Sequence, residues 1–87
     1  MKELTYFRLS YCPYCRRANG FLEELKQENP AYCAIPIRII DEAQEPRVAD
    51  RYDYWYVPCF FMDGVKLHEG SATKADIKAV LDRAMNE

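Results

Sequence analysis

Leu9-Ser10-Tyr11-Cys12-Pro13-Tyr14-Cys15-Arg16-Arg17-Ala18 is the stretch that decides the fold. Ahead of it, residues 3–9 include Leu4, Thr5, Tyr6 and Phe7, a β-branched, aromatic and mostly apolar run that reads as a strand covered on both faces. Behind it, Ala18, Phe21, Leu22 and Leu25 fall at i, i+3, i+4 and i+7, the stripe of an amphipathic helix that should stop near Asn29, before Pro30. The quoted residues are thus the joint between a strand and a helix. Pro13 suits the first helical position, which makes Cys12 the N-cap and Cys15 the third helical residue.

Outward from this joint, residues 34–40 are rich in branched side chains and read as a second strand, with Pro36 inside it removing a ladder donor and assigning it to a sheet edge. Pro46 opens a second helix with Val48, Ala49 and Tyr52 on one face, ending by Asp53. Residues 57–62 form a third strand, Asp63 and Gly64 a hairpin turn, and residues 65–69 a fourth strand. A last helix follows Gly70, with Thr73 and Asp76 spaced as a capping box and Ile77, Val80, Leu81 and Ala84 as its buried stripe. The order is βαβαββα. Strand, helix and strand in succession imply a right-handed parallel crossover, whereas the Asp63-Gly64 turn closes an antiparallel pair, so the class is α/β with a mixed sheet.

The 87 residues, without repeat, linker or biased segment, make one domain, residues 1–87. Twelve Lys and Arg against fourteen Asp and Glu give a net charge of -2, which cannot supply the positive field needed for nucleic acid. The first residues run straight into the strand pattern, so neither an export signal nor a membrane span is expected. Four cysteines in such a chain point to a reducing cytoplasm and to redox or metal chemistry.

Residues three apart on a helix are neighbours at roughly 5–6 Å, inside the separation a disulfide tolerates, so Cys12 and Cys15 can open and close a bond in place. Cys12 sits where the unpaired amides and the positive end of the helix dipole converge, and both favour thiolate over thiol. It is the expected nucleophile. His68, the sole histidine, is read as an exposed edge residue and not as a base. Zinc would need two more ligands as a second close pair; Cys33 and Cys59 are isolated, so no metal is expected and both are read as free buried cysteines. Strand alternation turns Cys59 to the face opposite Pro58, beneath the sheet. Pro58 is either an ordinary strand opener or the second residue of a cis bond. Tyr54, Trp55 and Tyr56 either form an exposed interface or cover the core, and Trp55 is expected in the core.

Cys12-Pro13-Tyr14-Cys15 opening the first helix, Val57-Pro58 opening the third strand and Gly70 before the last helix together resemble the glutaredoxin family of the thioredoxin-like fold, over nearly the whole chain. The resemblance implies a four-stranded sheet in the order 2-1-3-4 with three flanking helices, and a cis bond before Pro58. It implies a glutathione-dependent thiol-disulfide oxidoreductase that reduces protein disulfides and glutathione mixed disulfides, with Cys12 attacking and Cys15 resolving. Glutathione would be the co-substrate, with no tightly bound cofactor; the main chain of Val57 and the ring of Pro58 would lie at the redox pair, Tyr14 would flank the glutathione, and Gly70 and Ser71 would offer amides to a carboxylate. Partners are then glutathione and disulfide-containing or glutathionylated proteins, met by a cytoplasmic monomer. Tyr56 stands where the family usually has threonine, and residues 63–73 are as similar to a thioredoxin tail. Two alternatives follow: a thioredoxin-like reductase fed by another electron donor, and a module binding a 2Fe-2S cluster through Cys12 and glutathione across two subunits. A third is an adaptor of the same fold that binds a protein partner without turnover.

Overall fold

The strands are β1 (Leu4–Arg8), β2 (Ile37–Asp41), β3 (Cys59–Met62) and β4 (Val65–Glu69), and the helices α1 (Pro13–Glu28), α2 (Pro46–Ala49) and α3 (Lys74–Asn86), in the order β1-α1-β2-α2-β3-β4-α3. The computed structural model describes all residues, 1–87. The sheet runs β2-β1-β3-β4, as the resemblance implied. β1 and β2 are parallel, with Leu4 opposite Ile37; β1 and β3 are antiparallel, with Phe7 opposite Cys59; β3 and β4 form the hairpin. Its turn holds Asp63 at φ 51° and Gly64 at φ 78°, the pair of left-handed residues that an Asp-Gly hairpin supplies at least cost.

Alternation along β1 explains the two-sided core. Leu4 and Tyr6 turn one way and, with Phe60 and Met62, meet Ala18, Leu22 and Leu25 of α1 and Ile77, Val80, Leu81 and Ala84 of α3. Phe7 turns the other way and, with Ile40, Cys59 and Phe61, is covered by Val48, Tyr52 and Tyr54. Tyr6 stacks on Phe60 with ring centroids 4.3 Å apart, and its hydroxyl donates to Asn19 Oδ1 at 2.7 Å, so a polar group enters the core with its partner provided. Thr73 caps α3: its Oγ1 accepts from Asp76 N and its own amide donates to Asp76 Oδ2, the reciprocal pair expected from the sequence.

Three boundaries differ from expectation by two residues or more. The second strand begins at Ile37, because Asn29 Oδ1 accepts from Ala31 N and Pro30 sets the next turn, winding Pro30–Ala34 into a 3-10 helix. Pro36 therefore precedes β2, and its carbonyl accepts from Leu4 N; the edge position of β2 is real but is not caused by that proline. α2 ends at Ala49, and Tyr52 reaches Phe7 and Phe61 from the turn beyond it. β3 begins at Cys59, two residues later than expected.

The chain's ends meet at the pole away from the α1 N-terminus. The Met1 amino group donates to Glu87 O at 2.8 Å, Lys2 N donates to Ala84 O at 3.0 Å, and Lys2 pairs with Asp63 in the hairpin turn. No helix is long and apolar enough to cross a membrane.

Candidate active site

Cys12 is the N-cap of α1, with φ -82° and ψ 123°, and Pro13 follows at the first helical position. Its amide donates to Leu9 O at 3.3 Å and its carbonyl accepts from Arg16 N at 3.0 Å, so both main-chain groups are fixed while its side chain makes no capping bond. The sulfur is left to the surface and is partly exposed. Cys15, one turn on, is wholly buried. Its Sγ accepts from Leu9 N at 3.5 Å. Burial pushes the Cys15 thiol up, to about 11, with the Leu9 amide opposing and the Cys12 sulfur reinforcing the shift. The two sulfurs are therefore unequal: one is accessible, the other is buried and protonated at neutral pH.

The peptide between Val57 and Pro58 is cis. Because Phe7 stands opposite Cys59, the antiparallel register carries Pro58 and Val57 to the end of β1 from which the chain enters the loop to Cys12. Pro58 is fully buried and Val57 half-buried against the Phe7 cluster. The Gly70 amide donates to Pro58 O at 2.8 Å, which brings the end of β4 to the same pole. Gly70 has φ 87°, a conformation that side chains rarely adopt. His68 Nε2 lies 3.0 Å from Gly70 O and 3.2 Å from Ser71 O, so the histidine is a half-buried strap on the loop before α3 and not an exposed edge residue. Ser71 is exposed. Tyr14 is exposed too, with the Arg17 guanidinium 5.9 Å from its ring centre.

Two of the expected burials are wrong. Trp55 is 85 % exposed and Tyr56 70 % exposed, while Tyr54 alone of the three turns inward, stacking on Phe7 and donating to Glu42 Oε2 at 2.5 Å. Cys33 lies exposed on the 3-10 helix, where a short turn has no inner face large enough to cover every residue. Cys59 is buried beneath the sheet among Phe7, Ile40 and Phe61, and burial pushes its thiol up to about 12. No three His, Cys, Asp or Glu side chains are grouped as a metal site requires.

The residue that the sequence reading missed is Glu69. Its Oε2 accepts from Trp55 N at 2.5 Å and Tyr56 N at 3.0 Å, and its Oε1 from Lys66 Nζ at 2.7 Å. Lys66, followed by the two amides, holds the Glu69 carboxyl well below the usual carboxylate range, at about 2. Lys66 Nζ also donates to Asp53 O at 3.2 Å. A glutamate ending a hairpin strand shows locally only its i,i+3 pairing with Lys66, because the two amides it binds lie more than ten residues away.

Cys12 lines none of the three surface cavities; the largest, about 350 Å³, opens between α1 and strands β1 and β2 around Tyr6, Arg8, Asn19 and Ile39. The partly exposed Cys12 sulfur thus faces solvent outside these cavities.

A sheet ordered β2-β1-β3-β4, a Cys-x-x-Cys pair at the start of the first helix and a cis-proline opening the third strand define the thioredoxin-like fold. Solved structures agree on that class. A malarial protein matches with a TM-score of 0.70 at 14% identity, covering 95% of this chain and 96% of that one. The oxidised thioredoxin of Plasmodium falciparum matches at 0.69 and 18% identity, over 93% of this chain and 78% of that one. The thioredoxin of Fasciola hepatica matches at 0.68 and 21% identity, over 94% and 79% respectively. No protein-family model matches the sequence, and no curated protein does.

Proposed function

We propose that this chain is a thiol-disulfide oxidoreductase of the glutaredoxin type, cytoplasmic and monomeric, taking its electrons from glutathione. The observation that carries the reading is the contrast between the accessible sulfur of Cys12 at a helix N-cap and the fully buried, protonated Cys15 one turn behind it. Thiol exchange needs an attacking thiolate on the surface and a second thiol that waits.

The Cys12 thiolate attacks the glutathione sulfur of a mixed disulfide. The old S–S bond breaks, the protein thiolate departs and takes a proton from water, and a Cys12-glutathione disulfide remains. A second glutathione thiolate attacks that bond, leaving as glutathione disulfide and returning Cys12. With a protein disulfide, Cys12 joins one substrate sulfur; Cys15 then gives up its proton, attacks Cys12 Sγ and releases the substrate as a dithiol. The resulting Cys12-Cys15 disulfide is reduced by two glutathiones. In this reading the Val57 main chain pairs with the substrate backbone beside Pro58, Tyr14 flanks the glutathione, and Gly70 and Ser71 meet one of its carboxylates. No tightly bound cofactor takes part.

A second reading keeps the chemistry and changes the donor. It is supported by the thioredoxins among the structural neighbours and by Tyr56, where glutaredoxins usually have threonine. Turnover of a glutathione mixed disulfide with glutathione and glutathione reductase, run beside insulin reduction with thioredoxin reductase, separates the two. The expected result is turnover in the first assay, loss of at least a hundredfold in Cys12→Ser, and a trapped substrate disulfide on Cys12 in Cys15→Ser, read by mass. Undiminished turnover in Cys12→Ser would falsify both readings.

A further inference from the structure

Between Tyr54, anchored on Phe7, and Pro58, buried at the head of β3, three residues cross the site without regular structure. Trp55 and Tyr56 project into solvent, so apolar packing does little to fix their backbone. What fixes it is one carboxylate: Glu69 Oε2 accepts from both amides, and Glu69 stands opposite Cys59 in the β3-β4 register, one residue past Pro58. Lys66 braces the other carboxylate oxygen and ties it to Asp53 O, closing a clamp around residues 53–56. The geometry points to Glu69 as the positioning residue that holds the Trp55-Tyr56 backbone, and with it the main chain of Val57, in the conformation that receives a substrate disulfide; this rests on the oxidoreductase reading above.

Both amides bond to an ionised acceptor, the stronger kind of hydrogen bond, and neither has another partner in the fold. Loss of the carboxylate frees two donors and the three-residue crossing with them, so each substrate must order that segment as it binds. The cost falls on binding. Cys12 and Cys15 are held by α1 and by the Leu9 main chain, outside the clamp, so the chemical step keeps its rate.

The test uses insulin as the disulfide probe, glutathione as reductant, and wild type, Glu69→Ala and Glu69→Gln. Glu69→Ala is expected to raise KM about five- to tenfold with kcat within twofold. Glu69→Gln keeps one carbonyl oxygen for the two amides and turns its NH2 toward Lys66, so its KM rises only two- to threefold. Alkylation of Cys12 by iodoacetamide stays within twofold in both variants, and amide exchange at Trp55 and Tyr56 quickens at least tenfold in Glu69→Ala. An unchanged KM, or exchange as slow as in wild type, overturns the clamp. So does a parallel fall in kcat, alkylation and melting temperature, which marks a merely structural residue. If Glu69→Ala does not fold, Glu69→Gln decides by the same two readouts. A wild type that reduces no disulfide at all sinks the oxidoreductase reading, and the role given to Glu69 goes with it.

Discussion

Cys59 follows Pro58 in the chain yet turns to the side of the sheet where its thiol meets Phe7, Ile40 and Phe61 and not Cys12 or Cys15. Its pKa is raised from 9.0 to about 12, and that of Cys15 to about 11, in both cases first by burial. In the unfolded chain these thiols ionise near pH 9, while in the folded one they stay protonated. The stability they contribute is therefore intact below about pH 9 and is lost as pH rises through 11 to 12. Burial raises Tyr6 and Tyr54 as well, which adds to the same loss. The reduced protein should show a falling melting temperature above pH 9, and Cys59→Ala should flatten that fall at a neutral-pH cost of about 1 kcal/mol. At this scale the sequence revealed what local chemistry dictates: Cys12 as N-cap, Cys15 one turn on, Cys59 turned away from Pro58. It concealed what distant partners decide. Trp55 is the largest apolar side chain, and composition sends it inward; its backbone is tied to Glu69 fourteen residues later, and the ring is carried outward.

The α3 capping box was legible because both partners lie within one turn, Thr73 and Asp76 exchanging bonds of 3.1 and 2.9 Å. Thr73→Ala leaves the Asp76 amide without its acceptor and should cost about 1 kcal/mol, lowering the melting temperature by roughly 4–8 °C in a domain of this size. Thr73→Ser should recover most of that, since the hydroxyl remains, and thermal denaturation followed by circular dichroism decides. Where two local signals competed, element boundaries were misread. Branched residues at 34–40 suggested an extended run, yet Asn29 and Pro30 upstream claim Cys33 and Ala34 for a 3-10 helix. Tyr52 carries the spacing of an α2 residue and performs its packing role from a turn, because a side chain long enough to reach Phe7 does not need the helix to deliver it.

Across the whole molecule, the mostly apolar run of β1 predicted a sheet covered on both faces, and the Asp63-Gly64 turn predicted the antiparallel half; Pro36 suggested only an edge place for β2, and the full strand order came from the family resemblance, since no periodicity specifies which edge a crossover returns to. The resulting layout is polar. Cys12, Pro58 and Gly70 gather where β1 ends and β3 begins, while Met1, Glu87 and the hairpin turn gather at the other extreme, where Lys2 meets both Ala84 and Asp63. The chain is thus nearly a closed ring. Joining Glu87 to Met1 by a short glycine linker and cutting between Asp63 and Gly64 should give a circular permutant that folds and keeps Cys12 alkylation within twofold, as measured by melting temperature and iodoacetamide kinetics. For the same reason, a fluorescent cargo grafted onto either end hangs from the blind side, leaving the Cys12 sulfur uncovered at the opposite pole.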